Sequence, residues 1–117
     1  MLVVDDSDMM RHTMKRLLEK DYDVTLANSG LAAIRCITLD RPDLVLLDYE
    51  MPVCDGRQVL GMIRSEEDFA DIPVVFLTGR GDKESIQKVL SLKPKGYLIK
   101  TLGAEEIKKN IDDFMKG

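Results

Sequence analysis

Residues 42–48 read PDLVLLD, and this stretch decides the fold. Pro42 and Asp43 end whatever helix precedes them, four apolar residues follow without interruption, and the run stops at Asp48. A continuous apolar run of this length is typical of a strand that is buried on both faces, as in a parallel sheet covered by helices on each side. We therefore predict a buried parallel strand whose carboxyl end carries Asp48.

The same pattern extends in both directions along the chain. Three more short apolar runs, and one weaker and more polar run as expected at a sheet edge, are each followed by a segment with apolar residues at helical spacing. These runs occupy residues 2–4, 23–27, 72–77 and 97–99. Ser7 and Asp82 are predicted to cap the first and fourth helices. A strand and a helix repeated five times, (βα)5, predict an α/β fold with a doubly wound parallel five-stranded sheet and helices on both faces.

Composition limits the classes of function. The 117 residues carry 17 basic and 21 acidic side chains, a net charge of −4, with 44% hydrophobic residues and no tryptophan. This balance predicts one soluble cytoplasmic domain that binds neither nucleic acid nor a membrane by itself. Two cysteines and one histidine cannot assemble a structural zinc site, so Cys36 and Cys54 are predicted to be reduced thiols.

Polar residues stand where four of the five predicted strands end. Asp5 and Asp6 follow the first strand, Asp48 the third, Thr78 the fourth and Lys100 the fifth. The carboxyl ends of parallel strands meet at one edge of a sheet, which is where ligands bind in open α/β folds. We therefore expect three carboxylates, a hydroxyl and an ammonium group to lie together.

Such a cluster needs a compensating charge. Two carboxylates about 4 Å apart repel by about 4 kcal/mol at an effective dielectric constant near 20, so three of them require a cation or a bound proton. An all-oxygen site suits Mg²⁺, for which Mn²⁺ could substitute. A cation, an ammonium group and a hydroxyl around one carboxylate are the groups that phosphoryl transfer to this carboxylate requires. Asp48, on the most central of these strands, is the predicted nucleophile.

Several segments together resemble the receiver domain of the bacterial two-component response-regulator family, including its chemotaxis members. They are residues 3–7 (VVDDS), 42–52 (PDLVLLDYEMP), 55–56 (DG), 73–78 (PVVFLT) and 96–100 (GYLIK). The resemblance covers nearly the whole chain and implies one receiver domain over residues 1–117. It also implies a flavodoxin-like sheet with the strand order 2-1-3-4-5.

The resemblance assigns a role to each residue of the phosphoacceptor site. Asp48 would accept a phosphoryl group from a sensor histidine kinase or a histidine phosphotransfer protein. Asp6 and Asp48 would bind Mg²⁺ directly, the backbone carbonyl of Glu50 would be a further ligand, and Asp5 would act mostly through water. Lys100 would contact a phosphoryl oxygen.

The resemblance also implies a switch. Thr78 would move to hydrogen-bond the phosphoryl group, and Tyr97 would then turn inward. This change would alter the surface formed by the fourth helix, fifth strand and fifth helix, which a downstream effector protein or domain reads and through which the chain could form a homodimer. The chain would then be a regulatory domain, not an enzyme, that catalyses only its own phosphotransfer and slow autodephosphorylation.

Two other functions stay open beside this one. A Mg²⁺-dependent phosphohydrolase could use a similar sheet, although that class generally has a second acid or base, and residue 50 is Glu50 with no matching DxD after the first strand. A degenerate receiver that only docks other proteins would not need the intact set of polar strand ends. Two smaller hypotheses are that Glu50 pairs with Arg80 to slow loss of the phosphoryl group, and that Met9 joins a docking patch.

Two features depart from the family pattern. Thr101 follows Lys100, where the family usually has a proline in a cis peptide. A cis bond to a residue other than proline costs about 3–4 kcal/mol, so we predict a trans bond here. Met1 falls inside the first strand, where the family has several earlier residues, so we expect that the chain was trimmed or belongs to a longer protein.

Overall fold

The structure is a computed structural model that describes residues 1–79, 83–88 and 90–116, with the side chains of residues 83, 85 and 86 left out. The strands are β1 (Leu2–Val4), β2 (Thr25–Ala27), β3 (Val45–Asp48), β4 (Val74–Thr78) and β5 (Gly96–Ile99). The α-helices are α1 (Asp8–Leu18), α2 (Gly30–Leu39), α3 (Gly56–Ser65), α4 (Lys83–Lys88) and α5 (Ala104–Lys116). Short 3-10 helices occupy Glu67–Phe69 and Leu90–Leu92.

The five strands form one parallel sheet in the order β2-β1-β3-β4-β5. The predicted (βα)5 architecture and strand order are therefore confirmed. The strand β3 lies in the middle of the sheet, and its last residue, Asp48, is in register with Leu77 of β4. The central position of β3 explains why the whole strand, including this carboxylate, is buried.

The core has two layers, one on each face of the sheet. Alternate side chains of β3 point to opposite faces, so Val45 and Leu47 pack in one layer and Leu46 packs in the other. The first layer includes residues of α2 and α3, and the second includes residues of α1 and α5. The uninterrupted apolar run is thus explained by burial on both faces.

Three details differ from the sequence-based prediction. The strand β2 begins at Thr25, two residues later than predicted, where its first residue is in register with Leu2 of β1. The strand β4 begins at Val74, two residues later than predicted: Pro73 has no N–H to donate to the sheet, and the carbonyl of Ile72 accepts a hydrogen bond from the guanidinium of Arg64. The sequence groups Met62 with the apolar residues Val59, Leu60 and Ile63 of α3, but Met62 is 40% exposed.

The helices α1 and α3 begin at residues whose side chains cap them. The Ser7 hydroxyl accepts a hydrogen bond from the Met10 N–H at the start of α1, as predicted. Asp55 and Gln58 form a capping box at the start of α3, which directly follows the loop after Asp48. The cap predicted at Asp82 lies outside the described residues.

Two further sequence-based expectations concern the cysteines and membrane crossing. Cys36 and Cys54 are both free thiols, as predicted. Within residues 1–79, 83–88 and 90–116, no helix has the length and apolar character that crossing a membrane requires.

Candidate functional site

The polar strand ends lie at the carboxyl edge of the sheet. Asp48 and Thr78 are the last residues of β3 and β4, and both are buried. Asp5 follows β1 directly and is fully buried, while Lys100 follows β5 and its N–H donates to the carbonyl of Thr78 at 2.8 Å. The parallel sheet therefore brings these four residues to one edge.

Three carboxylates form the centre of this site. Asp5, Asp6 and Asp48 each place one carboxylate oxygen within 4.8 Å of the others. Asp5 and Asp48 are buried, whereas Asp6 is exposed on the turn between β1 and α1. Two negative charges with little access to water therefore face a third at the rim, which is unfavourable without a positive charge among them.

Lys100 supplies a positive charge from the chain itself. Its Nζ lies 2.8 Å from Oδ1 of Asp48 and 3.2 Å from Oδ2 of Asp5, and its side chain is 26% exposed. The N–H of Glu50 donates to the same Oδ1 of Asp48 at 3.2 Å. One oxygen of Asp48 is thus fixed by two donors, and this fixes the orientation of the carboxylate.

Burial and charge shift the pKa values of the buried ion pair. Burial raises the pKa of Asp48 to about 7, although the hydrogen bond from Lys100 lowers it, while the charge of Asp5 raises it further. Burial alone lowers the pKa of Lys100, but its hydrogen bonds and charge interactions with Asp48 and Asp5 outweigh this effect and the pKa is raised. Lys100 therefore stays protonated at neutral pH while Asp48 is partly protonated.

The donor set fits a hard divalent cation. Oδ2 of Asp48 is buried and has no hydrogen-bond partner, and Oδ2 of Asp5 has none beyond its ion pair with Lys100. A buried carboxylate oxygen without a donor is costly, and a cation would satisfy it. Asp5, Asp6 and Asp48 offer oxygen atoms only, the chemistry that Mg²⁺ and Mn²⁺ prefer.

The turn after β1 is held by a contact that the sequence did not reveal. Ser7 was predicted only as a helix cap, but its N–H also donates to Oδ1 of Asp5 at 2.9 Å. Asp5 therefore has one oxygen bound to the turn and the other paired with Lys100. These contacts orient Asp5 toward the neighbouring strands and leave Asp6 as the exposed member of the cluster.

The loop after β3 packs closely against the backbone of Asp48. The N–H of Gly56 donates to the carbonyl of Tyr49 at 2.9 Å. A Cβ at residue 56 would lie 2.6 Å from the backbone oxygen of Asp48, closer than real Cβ atoms approach backbone. Glycine is therefore required here for α3 to begin directly beside the carboxyl end of β3.

The other predicted site residues have mixed outcomes. The carboxylate of Glu50 is on the exposed side of the site, and Arg80, its predicted partner, lies outside the described residues. Tyr97 is 40% exposed on β5, and Met9 is 79% exposed on α1. The bond between Lys100 and Thr101 is trans, as predicted.

Asp48→Asn is expected to stabilise the cation-free protein at neutral pH. The folded-state pKa of about 7 lies above the ordinary value of 3.8, so between these values the folded protein keeps a proton that the unfolded chain releases. The free energy of unfolding of the natural chain therefore falls as the pH rises through this window, and it does not recover above pH 7. Asparagine removes this penalty, and we expect a gain of about 1–3 kcal/mol near pH 8.

Urea unfolding in the presence of a chelator measures this difference. The gain should shrink as the pH is lowered toward about 4, where Asp48 is neutral in both states. Asp43→Asn, at an exposed position before β3, is the matched control and should show no comparable gain. A gain for Asp48→Asn that is equal at both pH values would contradict the assignment of the raised pKa.

Comparison with known proteins places the sequence in a family. Residues 1–112 match the family described as the response regulator receiver domain. The chain is 31% identical over 114 residues to the sensor histidine kinase TmoS of Ectopseudomonas mendocina, covering 97% of this chain and 12% of that protein. It is 36% identical over 116 residues to the response regulator MprA of Mycobacterium leprae, covering 98% and 50%. The chain thus spans half or less of the length of these relatives.

Solved structures show the same fold. The chemotaxis protein CheY4 of Vibrio cholerae superimposes with a TM-score of 0.90 at 26% identity, over 97% of this chain and 95% of that one. The Mn²⁺-bound form of response regulator Rcp1 superimposes with a TM-score of 0.80 at 29% identity, over 96% and 88%. The flavodoxin-like order of the strands is therefore shared with proteins of this family.

Proposed function

The chain belongs to the response regulator receiver domain family, and from this premise we propose that it is a phosphorylation-dependent switch with Asp48 as the phosphoacceptor. Receiver domains act in two-component signalling, where they interact with histidine kinases and effector domains, and they generally bind Mg²⁺ at an acidic pocket. The assignment rests on the environment of the Asp48 carboxylate. Its carboxylate is buried, one oxygen is held by Lys100 and the Glu50 N–H, and the other has no hydrogen-bond partner.

The proposed reaction transfers one phosphoryl group. One carboxylate oxygen of Asp48 attacks phosphorus, the bond from phosphorus to the histidine nitrogen of the donor protein breaks, and the nitrogen keeps the electron pair. Asp48 must be ionised to bind the cation and to attack, so its pKa of about 7 in the cation-free protein makes cation binding, and through it acceptance, dependent on pH. Water attack on the acyl phosphate later releases inorganic phosphate and restores the carboxylate, which makes the change reversible.

Residues around Asp48 stabilise the charge that develops on the phosphoryl oxygens. The Lys100 ammonium lies 2.8 Å from Oδ1 of Asp48, which supports a contact with one of these oxygens. Thr78, at the end of the neighbouring strand, is the proposed hydroxyl donor. Asp5, Asp6 and Asp48 would hold Mg²⁺, with the Glu50 backbone carbonyl as a further ligand, and the bound cation neutralises phosphoryl charge. The similarity to the Mn²⁺-bound form of response regulator Rcp1 supports a divalent cation at this site.

The proposed output is a change at the β5 edge of the sheet. Tyr97 is 40% exposed on this strand and lies one residue from the buried Leu98. We propose that the phosphoryl group draws Thr78 toward it, that Tyr97 turns inward, and that an effector protein or domain reads the changed surface of α4, β5 and α5. A second copy of the chain could dock on the same surface.

The wider context is also part of the proposal. We propose that residues 1–117 form a single receiver domain that works in the cytoplasm and does not bind nucleic acid or a membrane by itself. Its donor would be a sensor histidine kinase or a histidine phosphotransfer protein. Because its relatives are longer than the chain, an output domain would lie in the same longer protein or in a separate partner.

Incubation with acetyl phosphate tests the proposed function. With Mg²⁺ present we expect intact-protein mass spectrometry to show one added phosphoryl group that hydroxylamine removes, as it does from acyl phosphates. With a chelator the labelling should fall by at least about 100-fold, because the charge of the carboxylate cluster is then uncompensated. Labelling that does not depend on a divalent cation would contradict the proposal. Steady release of phosphate over many rapid cycles would instead indicate a phosphohydrolase.

A further inference from the structure

Arg11 ties the end of β1 to the first turn of α1. Its Nη1 donates to the backbone carbonyl of Asp5 at 2.7 Å, and its Nη2 pairs with the carboxylate of Asp8. The Arg11 side chain is only 13% exposed, although it stands on a helix among charged residues. The guanidinium therefore spans the turn between β1 and α1, with Asp5 on one side and Asp8 on the other, and it is largely shielded from solvent.

The turn that Arg11 spans carries the exposed carboxylate of the cluster. On the strand side, the N–H of Asp5 donates to Ala27 of β2 at 3.1 Å, and on the helix side Ser7 caps α1. Asp6 lies between these anchors, and its exposed side chain is not fixed by packing. The direction of the Asp6 carboxylate is therefore set by the backbone of the turn, and this backbone is held by Arg11.

Arg11 differs from Lys100 in the kind of oxygen that it contacts at the site. Lys100 pairs with carboxylate oxygens of Asp5 and Asp48, which are the atoms that a cation would use. Arg11 contacts a backbone carbonyl of Asp5 instead, so it leaves the carboxylates of the cluster open to a cation. Its planar guanidinium can bind two oxygens in fixed directions at once, and a lysine ammonium on a flexible stem does this less well.

We propose that Arg11 is a positioning residue for the divalent cation, which acts by holding the β1–α1 turn so that Asp6 faces Asp48. The proposal rests on the proposed function for the presence of the cation, and it adds a residue that does not touch the cation. Without the guanidinium, the Asp5 carbonyl loses its donor and the turn is free to shift. Residues that orient metal ligands from behind typically change metal affinity by about 10- to 100-fold when they are removed.

Direct measurement of Mn²⁺ binding tests this role without reference to labelling. The electron paramagnetic resonance signal of free Mn²⁺ gives the Kd for the natural chain and for Arg11→Ala, which should bind about 10- to 100-fold more weakly. Arg11→Lys keeps the charge and should recover part of the affinity. Arg16→Ala removes an exposed arginine of the same helix and should leave the Kd within about 3-fold, because distant screened charges contribute little.

Two further measurements separate positioning from general loss of structure. If Arg11 acts through Asp6, the loss caused by Arg11→Ala should nearly vanish in an Asp6→Asn background, as a double-mutant cycle would show. At saturating Mg²⁺ the folded Arg11→Ala protein should also be labelled by acetyl phosphate at close to the natural rate. If Arg11→Ala does not fold, the same measurements are made on Arg11→Lys, for which we expect a smaller loss of Mn²⁺ affinity.

The possible outcomes have distinct meanings. An unchanged Kd in a folded Arg11 variant would overturn the positioning role and leave the proposed function intact. An equal loss of affinity in the natural and Asp6→Asn backgrounds would also overturn it, because Arg11 would then act independently of Asp6. Failure of the natural chain to bind Mn²⁺ or Mg²⁺ would overturn the proposed function together with this inference.

Discussion

Asp48→Asn is expected to reduce labelling by acetyl phosphate by at least about 1,000-fold, because the substitution removes the attacking oxygen itself. Asparagine has nearly the same shape, and its amide can occupy the same buried space at the end of β3. The fold should therefore persist, and the stability gain described above gives independent proof that the variant is folded. The measurement is intact-protein mass spectrometry over a time course with saturating Mg²⁺.

Asp5 is the other buried carboxylate that could be labelled in place of Asp48. Asp5 is buried beside Asp48, but its Oδ1 accepts the Ser7 N–H and its Oδ2 faces Lys100. We expect it to remain unlabelled when Asp48 is replaced. Asp43→Asn, at an exposed aspartate before β3, should be labelled at the natural rate. Labelling that persists in Asp48→Asn, at Asp5, Asp6 or elsewhere, would disprove the assignment of the phosphoacceptor.

Much of this site was predictable because strand ends in a parallel sheet meet regardless of side-chain detail. The apolar run at residues 44–47 specifies a central strand, and the residue that follows it must lie at the carboxyl edge. The same reasoning places Asp5, Thr78 and Lys100. It requires only the alternation of strands and helices, which is a strong signal in this chain.

The contacts made by arginines were not predictable in this way. In the sequence Arg11 is one of several charged residues between the apolar positions of α1, and helical spacing does not indicate which of them folds back onto β1. Arg64 is similar, since its guanidinium donates to carbonyls of Ile72, Leu92 and Lys93, in the segments that precede β4 and β5. Such bonds depend on where the ends of separate elements meet in space, and hydrophobic periodicity does not encode this.

The lengths of the edge elements were also missed for a physical reason. Propensity extends β2 back to Asp23, because Val24 continues the β-branched pattern, but an edge strand has only one neighbour to pair with. Pairing with β1 stops at Thr25, opposite Leu2. An edge strand begins only where its single neighbour pairs with it, and strand propensity does not encode this pairing.

Lys100→Met is expected to slow labelling by acetyl phosphate by about 100- to 1,000-fold even at saturating Mg²⁺, the usual effect of removing one charge-stabilising donor. Methionine keeps most of the length of the side chain but removes the ammonium that pairs with Asp48 and Asp5. Without it, the pKa of Asp48 should rise above its present value of about 7, because burial then acts with less opposition. Because protonation of Asp48 competes with cation binding, the pH dependence of labelling at subsaturating Mg²⁺ should move to higher pH.

The change in pH profile separates this role from simple damage to the fold. A variant that was only less stable would be labelled more slowly at every pH, with an unchanged midpoint. Lys109→Ala, which removes an exposed lysine of α5, should keep both the natural rate and the natural midpoint.

In the absence of a cation, Lys100→Met should also lose stability by about 3–5 kcal/mol near pH 8, since two buried carboxylates then lack their partner. Mg²⁺ should recover part of the lost stability but not the labelling rate. The cation supplies a positive charge beside the two carboxylates, but it does not replace the ammonium that donates to the phosphoryl oxygen. A rate that recovers fully with Mg²⁺ would show that Lys100 only balances charge.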